Sequence, residues 1–134
     1  MSPKKPAKKP VRILTDVELE LMNVIWELVG PCTVRDVLQA LPSTRDLAYT
    51  TVATMLRKME ARRLVKHRTE ARSFVYRAAV GEEAVSRSMA DHLLEGLFEG
   101  SLAHMVRHLL SNREVSRAEL SQLEELIAER KNAR

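Results

Sequence analysis

The chain has 134 residues, of which 45% are hydrophobic and 4% aromatic, and it carries a formal net charge of +4 at pH 7. This length is sufficient for one modest hydrophobic core and a small second one. The chain contains no signal core and no apolar run near the ~20 residues that span a bilayer, which predicts a cytoplasmic protein without membrane insertion. A single cysteine, Cys32, excludes an internal disulfide and a cysteine-rich metal site within one chain.

Basic residues are concentrated at the start of the chain. Residues 1–12 contain five Lys and Arg and no acid, whereas residues 82–134 contain seven basic and ten acidic side chains. Pro alternates with Lys pairs in residues 1–12, which predicts a disordered arm because nothing in it can be buried. Two roles are open for this arm. It contacts DNA phosphates without reading sequence, or it only keeps the chain in solution.

Two capping boxes predict the first two helices. Thr15 with Glu18 opens a helix that continues to a Gly-Pro pair. The inner face of this helix is predicted to consist of Val17, Leu21, Val24, Ile25 and Leu28. Thr33 with Asp36 opens a short second helix, which ends before Pro42.

A third helix and a β-hairpin are predicted between Leu47 and Arg77. Helical spacing places an apolar stripe on one side of the helix, formed by Val52, Met55, Leu56 and Met59. The opposite side and its flank are polar and basic, with Thr50, Thr51, Thr54, Arg57 and Lys58. After Leu64 the period changes to two residues, and a polar turn from Thr69 to Arg72 separates two short strands.

This stretch is strongly basic and has two interpretations. From Arg57 to Arg77 there are eight Lys and Arg against two acids. Threonine side chains can hydrogen-bond base edges or contact a thymine methyl in the major groove, while Lys and Arg neutralise phosphates. The hypothesis is therefore a DNA recognition helix followed by a wing. The alternative is an ordinary surface helix and hairpin with a solvated basic face.

The predicted fold class is mainly α with a small β-hairpin. Three helices followed by a hairpin are typical of a winged helix-turn-helix, which we predict for residues 13–80. Residues 81–134 are predicted to form three short amphipathic helices, which are too small to bury their own apolar surface. We therefore predict a three-helix dimerisation domain there, whose contacts include Leu93, Leu97, Phe98, Met105, Leu109, Leu120, Leu123 and Ile127. The alternative is that these helices fold back onto the winged domain as one core.

No catalytic, metal or cofactor site is predicted. His104 and His108 lie four residues apart, as two metal ligands on one helix would, but no third ligand has an obvious position. A catalytic triad is not predicted, because neither Cys32 nor any serine has a base and an orienting acid at a recognisable spacing. A Gly-rich phosphate loop is also absent from the sequence. The sequence therefore predicts a protein that is not an enzyme and needs no cofactor.

Four motifs carry a resemblance to a known family. They are Leu14-Thr15-Asp16-x-Glu18-Leu19-Glu20-x-Met22-x-Val24-Ile25-Trp26, Ala48-Tyr49-Thr50-Thr51-Val52-x-Thr54, Phe74-Val75-Tyr76 and Leu97-Phe98-x-Gly100-Ser101. Together they resemble the penicillinase repressors of the BlaI/MecI type, to which the copper-responsive CopY-type repressors are related. The similarity extends from Ile13 to Lys131. It implies a homodimeric transcriptional repressor with an N-terminal winged helix and a C-terminal dimerisation domain, bound to a palindromic operator in double-stranded DNA.

The resemblance also assigns residues to the operator. Carried over by position, the DNA-contacting face consists of Tyr49, Thr50, Thr51, Thr54, Arg57 and Lys58, and the wing contacts lie between Arg68 and Arg72. The alternative function is an architectural DNA-binding or protein-interaction module that does not read sequence. Direct readout requires the threonines, whereas an architectural binder requires only the Lys and Arg.

Two departures from the family pattern bear on its partners. The copper-responsive relatives carry paired C-terminal cysteines, which this chain lacks, so metal sensing by that route is not predicted. The β-lactamase repressors are inactivated when a membrane sensor system cleaves an Asn-Phe bond in the first dimerisation helix, so the resemblance offers such a protease system as one candidate partner. His92-Leu93 stands at that position here, so antibiotic-triggered cleavage of this protein does not follow from the resemblance.

Overall fold

The computed structural model describes residues 13–42 and 45–133, so the predicted basic arm, residues 1–12, lies outside the described residues. The elements are α1 (Asp16–Leu28), α2 (Val34–Ala40), α3 (Tyr49–Ala61), β1 (Val65–Glu70), β2 (Ser73–Ala78), α4 (Glu82–Phe98), α5 (Leu102–Ser111) and α6 (Arg117–Asn132). The predicted fold class is confirmed: three helices and an antiparallel hairpin are followed by three further helices.

Both predicted capping boxes are present. The Thr15 hydroxyl accepts a hydrogen bond from the Glu18 amide at 3.2 Å, and the Glu18 carboxylate accepts one from the Thr15 amide at 2.9 Å. Thr33 and Asp36 make the same reciprocal pair, at 3.1 and 2.9 Å. These bonds satisfy backbone donors that a helix start otherwise leaves open, which explains why α1 and α2 begin where the sequence predicts.

The hairpin is closed by a two-residue turn. Glu70 pairs with Ser73, and between them Ala71 and Arg72 have φ angles of 47° and 66°. Positive φ at both central residues is the type I′ geometry that matches the twist of a hairpin. Cys32 forms an isolated antiparallel bridge with the second strand. Its backbone amide donates a hydrogen bond of 2.8 Å to the Tyr76 carbonyl, and the Tyr76 amide donates one of 2.7 Å to the Cys32 carbonyl. The segment between α1 and α2 is thereby joined to the hairpin.

The core lies between the first three helices and the hairpin. Within the described residues the buried hydrophobic side chains are Leu14, Leu21, Met22, Val24, Ile25, Cys32, Val34, Val37, Leu41, Val52, Leu56, Met59, Leu64, Val65, Tyr76 and Val85. The prediction was wrong for Leu28, which is 39% exposed because it is the last residue of α1 and extends past the core. Burial, together with a smaller contribution from the nearby Asp36 carboxylate, raises the pKa of the Cys32 thiol to about 11, so the thiol is protonated at neutral pH.

One charged side chain is buried with this core. Glu18 is 6% exposed and is paired with Arg62, which also donates a hydrogen bond to the Ile13 carbonyl at 2.8 Å. Burial alone would raise the pKa of Glu18, but the Arg62 guanidinium and the Thr15 amide outweigh burial and lower it. The start of α1 is therefore tied to the end of α3 through an ionised carboxylate.

The chain separates into two compact units, one ending at His92 and the other starting at Leu93, so the division falls within α4. In the first unit, Val85 is buried and Met89 packs against the core, while the Trp26 indole donates a hydrogen bond to the Val80 carbonyl at 3.0 Å. In the second unit, α5 and α6 have no buried residue. None of the described helices has the length and apolar character needed to cross a membrane.

Candidate nucleic-acid interface

The predicted recognition helix is α3, and its two sides differ as the periodicity indicates. Val52, Leu56 and Met59 are fully buried, and Met55 is partly buried against the core. The opposite side is exposed and contains all six of the predicted operator residues on this helix, namely Tyr49, Thr50, Thr51, Thr54, Arg57 and Lys58. The buried stripe holds the helix on the domain, and this leaves a polar and basic surface facing outward.

The threonines on this surface are available to an external partner. The hydroxyls of Thr50, Thr51 and Thr54 form no hydrogen bond with any other residue in the described part of the chain. A threonine hydroxyl can both donate and accept a hydrogen bond, and its methyl group can contact a thymine methyl. The exposed threonines therefore have the chemistry required to read base edges.

The start of α3 favours a negatively charged partner. Its N-cap residue, Ala48, has no side chain that can accept a hydrogen bond, so it does not cap the first-turn amides. The helix has 13 residues, and its N-terminus carries the positive end of the helix dipole. An anion such as a DNA phosphate is the ordinary partner for such a terminus.

The two predicted wing residues have different surroundings. Arg68 forms an ion pair with Glu70 on the same strand, so its charge is largely compensated. Arg72 lies in the exposed turn and forms no ion pair with a carboxylate among residues 13–42 and 45–133. Sequence reasoning treated the two arginines alike, although the two-residue period of a strand places Arg68 and Glu70 on the same face.

A cleft of about 640 Å³ lies between α3, the hairpin and the start of α2. It contains Arg57 from α3 and Arg72 from the turn, together with Tyr49, and so joins three of the predicted residues on one concave surface. Arg35 also lines the cleft, and its guanidinium lies 5.8 Å from the centre of the Tyr49 ring. Sequence reasoning missed Arg35, because a single arginine on a short helix carries no signal until the fold places it beside α3.

The hairpin is held against α3 by side chains as well as by the core. The His67 ring stacks on Phe74 at 4.1 Å between centroids, and its Nδ1 lies 2.6 Å from the Glu60 carboxylate on α3. Tyr76 is buried, and burial raises its pKa, with a further increase from the charge of Glu60. These contacts fix the wing relative to the recognition helix.

The two histidines with helical spacing are part of a packing contact. Phe98 lies 5.2 Å from the His104 ring and 5.7 Å from the His108 ring, measured between centroids. The described residues contain no group of three or more His, Cys, Asp or Glu that could hold a metal ion. The His104 and His108 rings therefore pack against Phe98.

The chain matches one known protein family over most of its length. The model of the penicillinase repressor family matches residues 14–129, which is most of the chain. The chain belongs to the penicillinase repressor family. It is 30% identical over 124 residues to the penicillinase repressor of Bacillus licheniformis, a match that covers 92% of this chain and 96% of that protein. It is also 37% identical over 101 residues to the transcriptional regulator BlaI of Mycobacterium tuberculosis, covering 72% and 73% of the two chains.

A solved structure of a family member is also similar. The monomeric form of BlaI from Bacillus licheniformis, in complex with the blaP half-operator, aligns with a TM-score of 0.48 and 30% identity. The alignment covers 57% of this chain and 93% of that one. The family assignment places the present protein among the DNA-binding transcription regulators with a winged-helix fold.

Proposed function

We propose that this protein is a sequence-specific transcriptional repressor, which binds a palindromic operator as a homodimer and blocks promoters sterically. The observation that carries the proposal is the exposed surface of α3, where three threonines with no hydrogen-bond partner among the described residues lie beside Arg57 and Lys58. A helix with this surface fits the major groove, where the hydroxyls contact bases and the basic side chains contact phosphates. Membership of the penicillinase repressor family supports the same function.

The dimer is supported by the apolar surface of the second compact unit. Leu97 on α4 and Leu126 and Ile127 on α6 are 69%, 60% and 56% exposed, which is unusual for large aliphatic side chains. All eight predicted dimerisation residues are exposed or only partly buried. They are Leu93, Leu97, Phe98, Met105, Leu109, Leu120, Leu123 and Ile127. A second copy of the chain would remove this surface from water, and two-fold symmetry matches a palindromic operator.

In this proposal residues 13–80 bind DNA and residues 81–134 dimerise. Repression would be relieved by loss of the dimer or of operator affinity. The membrane sensor protease that the resemblance offers as a candidate partner stays a prediction, and the His92-Leu93 bond lies within the continuous helix α4. A protease acts on extended chain, so cleavage at this bond would first require local unwinding of α4.

The proposal is tested by titrating the full-length protein at physiological salt against DNA from upstream of its own gene and against a scrambled duplex. The mass of the protein in solution is measured in parallel. We expect a preference for the upstream DNA of about a thousandfold, which is within the usual range for specific readers, together with a dimer mass.

Three other results would each contradict a different part of the proposal. Equal affinity for the upstream and scrambled duplexes, followed by a genome-wide binding profile without discrete peaks, would establish the architectural alternative. A monomer mass at micromolar concentration would contradict the homodimer. Failure to bind any duplex would remove the DNA-binding proposal altogether.

A further inference from the structure

The cleft between α2, α3 and the wing has a charge distribution that the predicted operator face alone does not explain. Arg35, Arg57 and Arg72 come from three separate elements and line the same concavity of about 640 Å³. Among the side chains of residues 13–42 and 45–133, none that lines this cleft is acidic. Three like charges that line one concave surface create a positive potential there, which an anion bound in the cleft would offset.

The three arginines also lack the partners that neutralise other arginines in this protein. Arg45, Arg68 and Arg87 are each paired with a glutamate, whereas none of the three cleft arginines has a carboxylate partner in the described ranges. The acid adjacent to Arg35 in sequence, Asp36, is committed elsewhere, since its carboxylate accepts the Thr33 amide hydrogen bond at 2.9 Å. The cleft is therefore electropositive and without an internal counter-charge.

Tyr49 has a specific relation to Arg35. The guanidinium carbon of Arg35 lies 5.8 Å from the centre of the Tyr49 ring, within the distance at which a cation interacts with an aromatic face. A guanidinium held on a ring loses less conformational freedom when it binds a phosphate, because its planar fork is already oriented. Tyr49 is 48% exposed, so the pair is accessible to a large ligand.

We propose that this cleft seats one strand of the DNA backbone, that Arg35 is a phosphate-contacting residue together with Arg57 and Arg72, and that Tyr49 positions Arg35. The inference deepens the proposed function and depends on it, because it names the DNA element that this part of the surface binds. The backbone is favoured over a small anion, because the cleft opens beside the exposed threonines of α3 and is bordered by the wing turn. Tyr49, expected from the sequence to contact the operator, acts in this proposal mainly through Arg35.

The test uses the full-length protein and a fluorescein-labelled 30-base-pair duplex of random sequence, since phosphate contacts do not depend on sequence. The Kd is measured across a series of NaCl concentrations for the wild type, Arg35→Gln, Arg35→Lys and Arg87→Gln. Arg87→Gln is the matched control, because it makes the same change of net charge at an exposed site on α4. Circular dichroism and thermal melting establish that each variant is folded.

For Arg35→Gln we expect binding to weaken roughly tenfold and the slope of log Kd against log[NaCl] to fall by about one, as for loss of one phosphate contact. Arg35→Lys is expected to retain the slope, and Arg87→Gln to match the wild type. An unchanged affinity and slope in Arg35→Gln, with a wild type that binds DNA, would overturn the inference and leave the proposed function intact. A wild type that binds no duplex would instead overturn the proposed function.

The positioning role of Tyr49 requires a double-mutant cycle. We expect Tyr49→Leu to weaken binding about threefold in the wild-type background and to have no further effect in Arg35→Gln, because the positioned group is already absent. Tyr49→Phe retains the ring and should retain the coupling with Arg35. Additive effects of Tyr49→Leu and Arg35→Gln would show that Tyr49 acts independently of Arg35 and would overturn this part of the inference.

Discussion

The two compact units of the chain differ in how far they bury their large aliphatic side chains, as Leu56 in the first unit and Leu97 in the second show. Leu56 on α3 is fully buried, whereas Leu97 near the end of α4 is 69% exposed. The first unit closes its core with its own residues, and α1, α3 and the hairpin all contribute to it. The helices α5 and α6 of the second unit contain no buried side chain.

This difference separates two ways of stabilising a fold. The first unit gains its free energy within one chain, so its stability should not depend on protein concentration. The second unit leaves aliphatic side chains in water, each of which would gain about 1.5–3 kcal/mol on full burial. If the chain dimerises as proposed, the stability of this unit should increase with protein concentration, because the second copy would supply the missing contacts.

The largest effect is expected in the closed core. Leu56→Ala should lower the free energy of unfolding by about 2–5 kcal/mol, since it removes a fully buried side chain and leaves a cavity. Chemical denaturation measured at two protein concentrations checks this value and its independence of concentration. The matched control is Leu28→Ala on α1, which is 39% exposed and should cost much less. Equal losses for the two variants would contradict the described core.

The next effect is expected at the exposed surface of the second unit. Leu97→Ala should weaken the dimer by about 2 kcal/mol, or roughly 30-fold in the dissociation constant, because a two-fold interface loses this side chain twice. Analytical ultracentrifugation across a concentration series measures it, with Leu28→Ala again as the control. If Leu97→Ala associates like the wild type, the comparison between the two units does not hold at this residue.

A substitution on the proposed DNA-reading surface should affect operator binding without changing the proposed dimer. Thr54→Ala should weaken operator binding by about 1–3 kcal/mol and spare non-specific DNA, because it removes the hydroxyl that is proposed to contact a base and removes no positive charge. Fluorescence anisotropy on both duplexes checks the prediction, and the mass in solution checks that the dimer persists. Equal loss on specific and non-specific DNA would count against direct readout by Thr54.

The buried carboxylate of the first unit predicts a dependence on pH. The pKa of Glu18 is lowered in the folded protein, so its stabilisation is complete above the unfolded value of 4.5 and is lost as the pH falls through the lower folded value. Glu18→Gln keeps an acceptor for the Thr15 amide but loses the charge that Arg62 binds. It should cost about 1–2 kcal/mol at pH 7 and less at pH 3. Urea denaturation at the two pH values measures this, and a pH-independent loss would show that charge is not the cause.

The smallest effect is expected in the wing turn. Ala71 has a φ angle of 47°, a left-handed conformation that Asn tolerates better than Ala. Ala71→Asn should therefore raise the free energy of unfolding by about 0.5–1 kcal/mol without changing the charge of the wing. Thermal melting measures the gain, with Ala61→Asn at the end of α3 as a control that should not stabilise. A lower melting temperature for Ala71→Asn would contradict the turn geometry.

Local patterns were sufficient to predict much of this structure. The capping residues Thr15 and Thr33 predicted the starts of two helices, and the spacing of Val52, Leu56 and Met59 predicted which side of α3 is buried. These predictions succeeded because hydrogen bonds at a helix start and the helical period involve residues three or four positions apart. The failure at Leu28 has a related cause, since periodicity does not show where a core ends along a helix.

Contacts between residues distant in sequence could not be predicted in this way. The pairing of Glu18 with Arg62, the bridge between Cys32 and Tyr76, and the placement of Arg35 near Tyr49 each join separate elements. Each depends on how helices and strands pack, and neither composition nor local spacing encodes that packing. Arg68 is a different case, because its partner Glu70 lies two positions away on the same strand face, so the period of the strand was enough to indicate that pair.

The sequence by itself therefore determined the elements, their order, the family and the helix on which three threonines are exposed. The tertiary structure alone decided which arginines pair with acids on other elements, as Arg45 does with Glu20 and Arg62 with Glu18, and which arginines share a cleft. The physical reason is that hydrophobic periodicity and capping are properties of one segment, whereas the electrostatic environment of a charge depends on every segment that packs beside it.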